Sequence, residues 1–148
     1  MKLKIDIIAD NLMTIHPLLF RSLSRPLRSK SFSITPGGMF VLGSLKRNGI
    51  LSMSDIGKCL SMPKPHVTVI VDKLIEEGYV ERQHDPSDRR IVNVLITEKG
   101  LKDFEEIKLL VSENLKEKLH ALNAEEQDLL MVSSQNVKEL LSSILAKE

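Results

Sequence analysis

Along most of the chain the hydrophobic positions recur every three or four residues, and in two short segments they alternate. Ile5, Ile8, Leu12, Ile15 and Leu19 have helical spacing and predict an N-terminal helix ending near Pro26. Pro17 lies within it, and a kink or break is expected there because proline lacks the N–H that an internal position donates. The basic, serine-rich stretch from Arg25 to Ser33 reads as a loop. Thr35 and Pro36 suit the cap and first turn of a second helix, with Met39, Val41, Leu42 and Leu45 among its apolar positions and Asn48-Gly49 at its end. Gly37 and Gly38 are poor helix formers and predict a frayed start. Leu51 is placed for a short strand, and Ser52 with Asp55 caps a third helix running through Ile56 to Leu60.

After a turn to Pro63, Val67, Ile70, Val71, Leu74 and Ile75 fall at i, i+3, i+4, i+7 and i+8, the stripe of an amphipathic helix. Its opposite face carries Lys64, His66, Thr68, Val69, Asp72 and Lys73. Gly78 ends it, as a residue that tolerates the left-handed conformation. Tyr79–Gln83 and Ile91–Ile96 are short, β-branched and alternating, and predict two strands joined by the turn-forming HDPSDRR, where a third strand at Leu51 can add to the pair. Thr97 caps a long helix with Leu101, Phe104, Ile107, Val111, Leu115, Leu119 and Leu122 on its stripe. Asn123 with Glu126 opens a last helix to about Ala146, with Leu130, Val137, Leu141 and Ile144 on its stripe.

Composition changes this picture in three ways. At 148 residues and 42% hydrophobic the chain suits one domain, and with 3% aromatics and no Trp its core must be aliphatic. The long helices at both ends carry more apolar surface than so small a chain can cover, which a symmetric dimer would bury. Net charge is only +1, but Asn11–Ser54 holds no Asp or Glu and contains Arg21, Arg25, Arg28, Lys30, Lys46 and Arg47, while acids outnumber lysines after Gly100. That asymmetry points to an anionic partner for the front of the chain. Cys59 is the single cysteine, the N-terminus MKLKIDIIADNL has no signal-peptide pattern, and no apolar run reaches the length of a membrane span. A reducing, cytoplasmic location is expected.

A helix with one buried face followed by an arginine-bearing hairpin suits duplex DNA, because the major groove admits a helix and the narrow minor groove attracts an inserted Arg. The segments VDKLIEEGYVER, DPSDRR and LITEKG, in this order and spacing, resemble the recognition helix and wing of the MarR family of transcriptional regulators. The resemblance implies a mainly α fold with a small β-hairpin wing. Residues 35–97 would form a winged helix-turn-helix, and residues 1–34 and 98–148 would be dimerisation helices within a single MarR-like domain. It further implies a homodimer on a pseudo-palindromic DNA operator, acting as a repressor that a small-molecule effector releases, with no cofactor and no catalysis.

On the outward face of this helix His66, Thr68 and Val69 are placed to approach base edges and Lys73 to meet phosphate, with Lys64 and Pro65 at the helix start; the following hairpin favours this over an ordinary solvated face. By the resemblance, Arg90 enters the minor groove, Asp88 holds its guanidinium, and Arg82 and Arg89 complete the hairpin's DNA contacts, the alternative being hairpin surface charge. Two positions depart from the family pattern: Pro63 replaces a usual Ser or Thr at the helix start, and Val69 replaces a frequent Arg, offering a thymine methyl contact instead of a guanine hydrogen bond. An effector pocket between terminal helices and winged helix would involve His16, Phe20, Phe40 or Phe104. Cys59 reads as a buried structural thiol rather than an oxidant sensor. The four histidines are scattered, without metal-ligand spacing, and no nucleophile, base and acid converge in sequence. A winged helix that binds protein rather than DNA is the competing reading.

Overall fold

The computed structural model describes residues 3–24 and 32–147, so most of the expected 25–33 loop lies outside the described residues. The elements are α1 (Lys4–Ser24), α2 (Pro36–Asn48), β1 (Leu51–Ser52), α3 (Met53–Leu60), α4 (Lys64–Glu76), β2 (Val80–His84), β3 (Val92–Ile96), α5 (Glu98–Leu119) and α6 (Ala124–Leu145). The chain separates into two compact units, Met1–Val111 and Ser112–Glu148, dividing within α5. Among the described residues no helix is long and apolar enough to cross a membrane.

Local chemistry sets most boundaries. The hydroxyl of Thr35 accepts the Gly38 N–H at 3.1 Å, that of Ser52 accepts the Asp55 N–H at 3.1 Å, and that of Thr97 accepts the Gly100 N–H at 3.0 Å. Asn123 and Glu126 complete a reciprocal capping box, both bonds at 2.9 Å. Each occupies a donor that a helix start leaves unpaired. Gly78, at φ 78°, stops α4 and turns the chain into β2. Both strands begin one residue later than the alternation predicts.

Two expectations about α1 and α2 are corrected. Pro17 does not break α1, which continues through it to Ser24, at the loss of the backbone hydrogen bond its missing N–H would have made. Gly37 and Gly38 do not fray α2; both are helical, and Gly38 is buried. A Cβ on Gly38 would stand 3.2 Å from Leu74 Cδ2, and one on Gly37 3.0 Å from Ile70 Cδ1. The helical propensity lost there is exchanged for close approach of α2 to α4.

The core lies in the first unit. Val41, Leu42 and Leu45 of α2, Met53 and Ile56 of α3, Val67, Val71 and Leu74 of α4, Val80 and Val94 of the sheet, and Phe104 and Ile107 of α5 are buried together. The sheet order is β1-β3-β2, all antiparallel, with Leu51 opposite Val94 and Arg82 opposite Val94 on the other side. Predicted β1 therefore exists, as a two-residue edge. The junction of β3 and α5 is tied to the end of α4. Thr97 donates through Oγ1 to the Gly78 carbonyl at 2.6 Å, and Lys99 Nζ reaches the Glu77 carbonyl at 2.5 Å while lying 4.5 Å from the Tyr79 ring centre. Gly100 is required here, since a Cβ would lie 2.1 Å from the Tyr79 carbonyl oxygen.

Candidate nucleic-acid interface

Helices α3 and α4 are joined by Ser61–Pro63, with Ser61 left-handed at φ 49° and the Met62 N–H donating to the Gly57 carbonyl at 3.0 Å. This is a helix-turn-helix, and α4 is its second helix. Pro63 supplies no side-chain cap, so the α4 start rests on backbone bonds from His66 and Val67 to the Pro63 carbonyl at 3.0 and 3.2 Å. With Val67, Val71 and Leu74 buried, the remaining positions divide into two rows. His66, Val69 and Lys73, at i, i+3 and i+7, are exposed on the outward row, with Pro65 beside them and Val69 69% exposed. Lys64, Thr68 and Asp72, at i, i+4 and i+8, run along the flank that meets the hairpin. Lys64 and Thr68 line a cleft of about 390 Å³ with Met53, Arg82, Gln83, His84 and Val92. The Thr68 hydroxyl donates to the Lys64 carbonyl at 3.0 Å, one turn back along the same flank.

The hairpin tip is ordered by two carboxylates. Asp88 accepts the Arg90 guanidinium in a fork, Nε to Oδ1 at 3.1 Å and NH2 to Oδ2 at 3.0 Å, and also the Arg90 backbone N–H at 3.0 Å. The Arg90 side chain is nonetheless 91% exposed, so it is pre-oriented and still open to a partner. The guanidinium, and after it the backbone N–H, holds the Asp88 carboxyl below its ordinary range, and the hydrogen bond to Asp88 raises Arg90 in turn. Asp85, which the sequence reading treated only as a turn former, builds the tip from within. It accepts the Ser87 and Asp88 N–H groups at 2.9 and 3.3 Å and the Asn93 amide at 3.1 Å. The Ser87 N–H and Asn93 bonds lower its carboxyl most. His84 Nδ1 lies 3.1 Å from the Arg89 carbonyl, closing the tip.

Arg82 is placed differently from the other cations. Its guanidinium pairs with Asp72 of α4 at 2.6 Å, a contact the sequence reading did not anticipate. Of the cations of the acid-free front, Arg25, Arg28 and Lys30 lie outside the described residues. Lys46 pairs with Glu105 and stands 5.8 Å from the Phe104 ring centre.

Cys59 is exposed, correcting the expectation of a buried thiol. The eight-residue α3 buries only Met53 and Ile56, and Cys59 lies off that narrow face. Among the described residues no group of three or more His, Cys, Asp or Glu is placed to hold a metal.

A second, apolar cavity of about 210 Å³ in the first unit is lined by Phe20, Leu23, Pro36, Met39, Phe40, Lys108 and Val111. Of the four residues expected there, Phe20 and Phe40 meet in it. His16 is exposed outside the lining, and Phe104 packs into the core with its ring 3.5 Å from where a Cβ on Gly43 would stand. Lys108 and Val111 reach the cavity from α5, far along the chain from α1 and α2, so no local pattern marks them as lining residues.

Comparison with known proteins agrees with this geometry. The sequence profile of the MarR family matches residues 34–92. The HTH-type transcriptional repressor MdtR of Bacillus subtilis (strain 168) is 30% identical over 105 residues, covering 67% of this chain and 68% of that protein. The uncharacterised HTH-type transcriptional regulator YkoM of the same organism is 31% identical over 126 residues, covering 84% and 82%. The structure of wild-type MarR from E. coli, in its apo form, superposes with a TM-score of 0.76 at 26% identity, covering 87% of this chain and 95% of that one. With the helix-turn-helix and wing in place, the chain belongs to the MarR family of winged-helix, DNA-binding transcriptional regulators.

Proposed function

We propose that the chain acts as a homodimeric repressor on a pseudo-palindromic operator and is released by a small-molecule effector. The observation that carries the DNA contacts is the exposed row His66, Val69 and Lys73 beside a wing arginine held open by a carboxylate fork. In this reading α4 lies in the major groove, His66, Thr68 and Val69 meet base edges, Val69 takes a thymine methyl, and Lys64, Lys73 and Arg89 meet phosphates. Pro65 approaches the backbone at the helix start, and Arg90 enters the minor groove. Residues 35–97 form the DNA-binding region, and residues 1–34 and 98–148 supply the dimer interface.

The dimer is supported by uncovered apolar surface in each unit. On α1, Ile5 and Met13 are 76% exposed, and α6 buries no residue although Leu140 and Leu145 are each 66% exposed. Such faces are covered in stable proteins, and a second copy of the chain supplies matching ones. Repression follows the name of MdtR and the simplest physical effect of occupying a promoter. The effector reading rests on the cavity at Phe20 and Phe40. It suits a small apolar molecule, with Lys108 at its edge for an acidic group. An effector acts by binding one dimer conformation better than another. A cytoplasmic location fits an operator partner.

Selection of bound DNA from a random library tests the proposal. A palindrome with half-sites about one helical turn, roughly 34 Å, apart is expected. Recovery of no preferred sequence, with no salt-dependent mobility shift, would leave the winged helix as a protein-binding module instead.

A further inference from the structure

We propose that Asp72 is a positioning residue that fixes the wing against the recognition helix through Arg82, and so sets how Arg90 meets the minor groove. The inference rests on the reading of α4 and the wing as DNA contacts. Asp72 lies on the flank row Lys64–Thr68–Asp72, directed at the hairpin. Arg82 is the middle residue of β2 and shares a strand face with Val80, which is buried, and with His84. Their 2.6 Å contact is a direct side-chain bridge from the exposed part of α4 to the hairpin. Below it Gly78 joins the two elements, and above it the cleft separates them.

The bridge is in line with the wing tip. β2 and β3 are paired over five residues, from Val80 opposite Ile96 to His84 opposite Val92, so the hairpin moves as one body. His84, next on the Arg82 face, contacts the Arg89 carbonyl, and Arg90 follows with its fork to Asp88. A change of hairpin angle at Arg82 therefore displaces Arg90.

Simple electrostatics makes the opposite forecast for this acid. A carboxylate beside phosphate-binding cations repels DNA, and its removal should only tighten binding. A surface ion pair also contributes little to stability, so Asp72 has little folding role to explain its presence. Positioning accounts for an acid here by giving it the task of withholding Arg82 from phosphate and holding the strand.

The test uses the full-length protein, the operator obtained by selection, and versions of it with A·T or G·C flanks. D72N should bind non-specific DNA more tightly, and its salt slope should steepen by about one unit as Arg82 is released to a phosphate. Its preference for A·T flanks should fall by roughly three- to tenfold. D72E keeps the carboxylate and should keep most of the preference. In an R82A background, D72N should cause no further loss of flank preference. The inference is overturned if D72N retains the parental preference, or if it lowers that preference by the same factor with and without Arg82. If the parent protein binds no DNA at all, the DNA reading fails and takes this inference with it, an outcome distinct from both.

Discussion

Helices α4 and α6 carry the same kind of apolar stripe and come to opposite ends. In α4, Val67 and Val71 are fully buried and Leu74 nearly so, against α2, α3 and β2 of the same unit. In α6, Leu130, Val137, Leu141 and Ile144 remain 36–57% exposed and no residue of the helix is buried. Periodicity records that a helix has a face to hide. It does not record which chain hides it. The first helix is completed by its own unit, and in the proposed dimer the second is covered by a partner, so the two should respond differently to the same kind of insult.

Leu74→Ala should cause the largest loss. Deleting a packed core side chain costs about 2–5 kcal/mol, and the loss should appear in denaturant unfolding at every protein concentration. Leu141→Asp should spare the unfolding of the first unit and weaken self-association by about 2 kcal/mol or more. Sedimentation at micromolar concentration would show monomer where the parent is dimeric, and operator binding should fall with it. A parent that is itself a stable monomer would erase the contrast between α4 and α6.

The wing sharpens the comparison on the DNA side. Arg90→Ala should cost about 1–3 kcal/mol per contact and flatten the preference for A·T flanks, whereas Lys73→Ala should weaken all sequences about equally. Asp88→Ala should be a milder Arg90→Ala. Because the folded Asp88 carboxyl lies below its ordinary value, the fork is fully formed above that value and is lost only as pH falls through the lowered one. Flank preference measured from about pH 8 down to about pH 5 should therefore be constant. Cys59→Ser should be the smallest change, within about 0.5 kcal/mol of stability, since the thiol is exposed. It should leave operator affinity under peroxide unaltered, and a loss of oxidant-triggered release would give Cys59 a regulatory role.

Much of the architecture was legible without coordinates. Thr35, Ser52, Thr97 and Asn123 each cap the helix expected of them, because a cap needs only a side-chain oxygen three residues from an unpaired N–H. Gly78 could be read as a stop because left-handed backbone favours glycine wherever it occurs. The Asp88–Arg90 fork spans two residues, and family resemblance located it in advance.

What local spacing determined was therefore the elements, their capped ends, the buried stripe of α4 and the position of the hairpin turn, since these depend on groups within a few residues of one another. Tertiary structure alone decided which elements face each other. It sent Phe104 into the core and left Phe20 and Phe40 to meet in a cavity. It spent Lys46 on Glu105, 59 residues away, rather than on a partner. It split the polar face of α4 into an outward row and a flank and joined the flank's Asp72 to Arg82. Each of these outcomes depends on how two helices or a helix and a strand approach, and no periodicity within one segment encodes that approach. Gly37 and Gly38 show the limit most plainly: their low helical propensity predicted fraying, yet both are helical, and the nearness of Ile70 and Leu74 leaves no room for a larger residue.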